Sequence, residues 1–66
     1  MQIRLNGQDY PLAEPASIVD LLQQLDLVGK RLAVEVNEQI IPKSRHAATL
    51  LQADDCVEIV HAIGGG

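Results

Sequence analysis

A single apolar helical stripe is the feature that most limits how this chain can fold. Ile18, Leu21, Leu22 and Leu25 fall at i, i+3, i+4 and i+7, a spacing that collects them on one side of an α-helix. Ser17 stands just before them as a good N-cap, its hydroxyl able to accept from a first-turn N–H. Asp20, three residues later, completes an approximate capping box where the helix dipole favours an acid. Gly29 is suited to end the segment in the left-handed conformation. No second stripe of this kind is evident, so strands have to cover the helix's apolar face.

The strands are legible as alternation. Gln2 to Asn6 alternates polar with apolar, turning Ile3 and Leu5 inward. Asn6-Gly7 is a pair that tolerates positive φ at both centres of a tight hairpin, so Gln8 to Leu12 returns as the second strand. Pro11 and Pro15 bracket a loop before the helix. Arg31 to Asn37 gives a third strand with Leu32, Val34 and Val36 on one side. Asn37-Glu38-Gln39 reads as a turn, and Ile40-Ile41 as a short edge strand stopped by Pro42. Lys43 to Thr49 is polar and reads as irregular or as a single helical turn. After Leu50 and Leu51 and the turn-like Ala53-Asp54-Asp55, Cys56 to Ile63 is almost continuously apolar and reads as a central strand. The chain then closes on Gly64-Gly65-Gly66, expected to be a flexible tail. This order predicts an α+β domain over residues 1–63: a β-grasp, with a mixed sheet packed on one face by one main helix, and a tail at 64–66. A ferredoxin-like unit would need a second helix that has no clear sequence here.

Composition narrows the function. A chain of 66 residues is one domain at most. Its formal net charge of -4 is the wrong sign for nucleic acid phosphates. Tyr10 is the one aromatic residue, so no set of stacking platforms exists for unpaired bases. A basic protein partner fits better. Cys56, the single cysteine, rules out an internal disulfide and a cysteine-based metal cluster and agrees with a reducing compartment. No leader-like segment opens the chain and no apolar run approaches a bilayer span, so the expectation is a cytoplasmic protein that does not enter membranes.

No catalytic constellation is evident. There is one Cys, two His separated by fifteen residues, and no phosphate-cradling glycine loop within the chain. The unusual element is the triple glycine after a well-formed strand. An end without side chains can slide through a narrow channel and present its carboxylate to a partner's active site, where any Cβ would obstruct. A carboxylate is a poor acyl donor until its oxygen becomes a better leaving group, as it would in an adenylate formed from ATP. A sulfur nucleophile could then displace AMP. A loose end with no role is the bland alternative.

The run Val57-Glu58-Ile59-Val60-His61-Ala62-Ile63-Gly64-Gly65-Gly66 resembles the C-terminus of the ThiS family, sulfur carriers of thiamin biosynthesis. Val36-Asn37-Glu38-Gln39-Ile40-Ile41-Pro42-Lys43 is similar to that family's middle stretch, and length and element order agree. The resemblance implies a ubiquitin-like β-grasp and a carrier that is not itself an enzyme. It implies adenylation of Gly66 by an E1-like, ThiF-like enzyme that uses ATP, with no cofactor bound to the carrier. Conversion to a thiocarboxylate by way of a sulfur-donating enzyme follows, then delivery to a ThiG-like thiazole synthase. Gly64 and Gly65 would serve tail recognition. The competing resemblances are to the small subunit of molybdopterin synthase, which often has a Pro-Pro pair absent here, and to a ubiquitin-like conjugation or interaction module.

The sheet face away from the helix should carry Arg4, Ala33, Glu35, Glu58 and Val60. With His61 beside the tail, the residues Arg4, Glu35, Glu58, Val60 and His61 form the candidate partner surface, although any one-sided sheet shows water a similar mixture. Cys56 is expected to be a small buried hydrophobe, since Asp54 and Asp55 oppose a thiolate. His46 receives no role.

Overall fold

The computed structural model describes residues 1–61 and contains a five-stranded mixed sheet with one α-helix on one face. The strands are β1 (Gln2–Leu5), β2 (Gln8–Pro11), β3 (Leu32–Val36), β4 (Gln39–Ile41) and β5 (Cys56–His61), and α1 spans Ile18–Gln24. They lie in the order β2-β1-β5-β3-β4. β5 runs parallel to β1 and antiparallel to β3, and the outer pairs are hairpins. The expected central position of the last strand is therefore borne out, and so is the single covering helix.

The core follows from the two periodicities. Ile18, Leu21 and Leu22 of α1 pack with Ile3, Val34, Val57 and Ile59, which share the helix-facing side of the sheet. The capping box is present: Ser17 Oγ accepts from the Asp20 N–H at 3.1 Å and Asp20 Oδ2 from the Ser17 N–H at 2.8 Å. The helix stops earlier than the sequence reading places it. Asp26, at φ 59°, takes the left-handed position, and the Leu27 N–H reaches back to the Leu22 carbonyl at 2.8 Å. An aspartate tolerates this conformation, so the turn closes before Gly29, which serves the following loop at φ 84°. Residues 43–49 hold a single 3-10 turn, Lys43–Arg45, and the segment is tied to the helix start by Ile18 N–H to Thr49 O and Leu51 N–H to Ala16 O. His46, given no role from sequence, is buried beneath this turn, with Nε2 2.8 Å from Ile41 O.

Both hairpins use two-residue loops with positive φ at both positions: Asn6 and Gly7 at 50° and 83°, Asn37 and Glu38 at 51° and 69°. Glycine suits the second position in each, and only the first loop has it. Replacing Glu38 by Gly should therefore raise stability by about 0.5–1 kcal/mol after allowing for the freer unfolded glycine. Thermal unfolding followed by circular dichroism would show this as a midpoint a few degrees higher.

Candidate functional site

The site is built on β5, because this strand leads into residues 62–66. The expected end of the strand at Ile63, the domain boundary after it, and the tail residues Gly64, Gly65 and Gly66 lie outside the described residues. What the structure defines is how the strand that precedes them is held and which faces it presents.

β5 is fixed by backbone pairing on both sides and by two asparagine side chains. Arg4 N–H and Asn6 N–H donate to Asp55 O and Val57 O, each at 2.9 Å, but the β1 ladder then ends at Leu5↔Val57. The next N–H on that side belongs to Ile59, and Asn6 Oδ1 accepts it at 2.8 Å. On the other side Asn37 donates its N–H to Cys56 O at 2.7 Å, accepts the Cys56 N–H through Oδ1 at 2.9 Å, and donates through Nδ2 to Asp55 Oδ1 at 3.1 Å. Each hairpin turn thus contributes an amide that substitutes for missing ladder at β5. Leaving a partly buried N–H such as that of Ile59 unpaired would cost about 1–3 kcal/mol, so Asn6 helps hold the strand flat toward its last described residue.

The face away from α1 carries Arg4, Ala33, Glu35, Glu58 and Val60, as alternation requires. Ile40 joins them opposite Glu35 and is 69% exposed, while Val60 is 53% exposed. Ile40 is an addition to the outward set expected from sequence. The signal was available, because with Ile41 turned toward the core its neighbour has to turn out. Cys56 corrects an expectation. It is exposed on this same face, since Val57 and Ile59 take the inward positions and leave the alternate ones to solvent. His61 pairs opposite Leu32 and so belongs to the helix-side face, apart from the other four residues of the candidate surface.

Charge on the outer face is uneven. Arg4 is drawn to the first hairpin, its guanidinium 3.6 Å from Asp9 Oδ1 and bonded to Gly7 O at 2.9 Å. Glu35 and Glu58 stand directly opposite one another on adjacent antiparallel strands. Two like charges so placed oppose folding, and the fold itself offers no reason for them. A Glu58→Lys change should stabilise the domain by about 0.5–1 kcal/mol, readable as a raised denaturant midpoint.

Comparison with known proteins assigns this arrangement to a family. Residues 3–66 match the family model described as ThiS family. The chain belongs to that family. The sulfur carrier protein ThiS of Bacillus subtilis (strain 168) is 40% identical over 65 residues, covering 97% of this chain and 98% of that protein. A thiazole synthase of Magnetococcus marinus is 36% identical over 66 residues, covering all of this chain but 20% of the enzyme. A crystal structure of a ThiS from Geobacter metallireducens superimposes with a TM-score of 0.87 at 28% identity, over 100% of both chains. The β-grasp of the ThiS family is thus the fold of this chain. The resemblance read from the two quoted segments is borne out. Among the described residues no cluster of His, Cys, Asp or Glu suits a metal ion, and no helix is long and apolar enough to cross a membrane.

Proposed function

We propose that this chain carries sulfur as a thiocarboxylate on Gly66 and delivers it, in the cytoplasm, for synthesis of the thiazole moiety of thiamin. The observation that carries this reading is that the ThiS family match runs from residue 3 through residue 66, so it takes in the terminal glycines as well as the folded body. An E1-like partner would catalyse attack of a Gly66 carboxylate oxygen on the α-phosphate of ATP. Pyrophosphate leaves and an acyl-adenylate forms. A sulfide-equivalent nucleophile from a sulfur-donating enzyme then adds at the carbonyl carbon, and AMP departs with the bridging oxygen. One carboxylate oxygen is thereby replaced by sulfur, with no change in the oxidation level of the carbon. The nucleotide is consumed by the activating partner, and this chain needs no bound cofactor. It contributes a recognisable body and the reacting carbonyl, while the partners supply the electrostatic stabilisation.

The thiazole synthase whose chain includes a region similar to this one supports a ThiG-like enzyme as the recipient. The outer face of the sheet, with Val60 and Ile40 as apolar contacts and Glu35 and Glu58 as an acidic pair, is the docking surface in this reading. A basic patch on the activating enzyme would relieve the repulsion between the two acids and speed encounter. The same Glu58→Lys variant that gains stability should therefore lose affinity for that enzyme, with a weaker dependence on salt.

ATP–pyrophosphate exchange catalysed by the E1-like partner tests the proposal. The intact chain should support exchange and a chain lacking Gly66 should not, with unchanged circular dichroism. Equal exchange by both chains would remove Gly66 from the reaction.

A further inference from the structure

The end of α1, the loop that follows it and the 3-10 turn leave a groove of about 150 Å³ on the helix side of the sheet. Leu22, Leu27 and Leu32 line it, together with Val28, which is 57% exposed. Lys30 and Lys43 also line it, and among the described residues neither is in an ion pair. The groove therefore carries two lysines and no Asp or Glu in its lining, although the chain as a whole is acidic, with a formal net charge of -4. His46 is also in its wall, but its Nε2 is engaged with Ile41 O.

We propose that this groove docks an acidic segment of a partner protein through one apolar anchor, an aromatic or leucine side chain, with flanking carboxylates set against Lys30 and Lys43. An apolar cavity of this size holds a benzene-sized group. One well-packed anchor surrounded by weaker contacts is how a small patch gains most of its binding energy. The two lysines select the sign of the flanking charge and raise the rate of encounter. The surface is on the opposite side of the sheet from Glu35, Glu58 and Val60.

The test needs neither ATP nor an activating enzyme. The full chain, labelled with ¹⁵N, is titrated with a capped decapeptide of Glu and Gly around one central Phe, with its Lys-for-Glu counterpart, and with a version carrying Ser in place of Phe. Saturable shifts are expected at amides of residues 27–32 and 43–47 with the first peptide. The response should be about tenfold weaker with each of the others and with the Lys30→Glu, Lys43→Glu double variant. Both lysines are exposed, so the variant's remaining spectrum should be unchanged. Absence of groove shifts, equal response to the Glu and Lys peptides, or groove shifts that follow protein concentration alone, which would make the occupant a second copy of this chain, would each overturn the proposal.

Discussion

A Leu21→Ala variant is expected to be largely unfolded under conditions where the parent chain is folded. Leu21 is fully buried, at 0% exposure, and belongs to the helix stripe that seals the sheet. Truncating it removes transfer free energy and leaves a cavity that the short helix and three facing strands cannot collapse around, a loss of about 3–5 kcal/mol. A domain of this size has on the order of 5 kcal/mol in total. Residues 18 to 24 form two turns of helix, too few to persist without tertiary contacts, so losing the stripe's centre loosens the whole helix. Urea unfolding followed by circular dichroism should show a midpoint near or below zero denaturant. An unaltered midpoint would mean that the helix is not what seals the core.

The second large effect concerns chemistry instead of stability. A Gly65→Val variant should lose about 100-fold or more in kcat/KM for adenylation, because a branched Cβ in a channel shaped for bare backbone displaces the reacting carbonyl. Its thermal midpoint should match the parent's, in keeping with the sequence expectation that residues 64–66 lie outside the folded domain of residues 1–63. Loss of activity with unchanged stability separates a role in threading from a role in folding. A parallel loss of both would place Gly65 in the structure of the domain.

The elements that alternation and helical spacing determine were readable in advance: the hairpin at Asn6-Gly7, the Ser17 cap, the central β5 and the outward set of Arg4, Glu35, Glu58 and Val60. Those rules are local, and each residue's neighbours in sequence carry the information. Free cysteine is commonly buried, but strand phase overrides that tendency at Cys56 because Val57 and Ile59 take the inward positions. Proximity to the tail suggests the outer face for His61, whereas strand phase sets it opposite Leu32 on the helix side. The helix end moved from Gly29 to Asp26 because an aspartate can occupy the left-handed position that glycine usually takes. In the sequence Asn6 and Asn37 show only their turn-forming character. Their bonds to β5 join residues 53 and 19 positions apart in the chain. Where β1 ends relative to β5 decides that need, and no local pattern encodes it. Likewise the buried His46 and the groove beside it depend on how residues 43–49 fold back on α1.

The central claim is that sulfur resides on the carbonyl carbon of Gly66, and the chain has one other place to hold it, the exposed thiol of Cys56. Fragmentation mass spectrometry after reaction with the activating enzyme, ATP and a persulfide sulfur donor with a thiol reductant distinguishes them directly. The account predicts exchange of one oxygen for one sulfur, confined to C-terminal fragments that contain Gly66. Addition of a sulfur atom without loss of oxygen, in fragments containing Cys56, would contradict it.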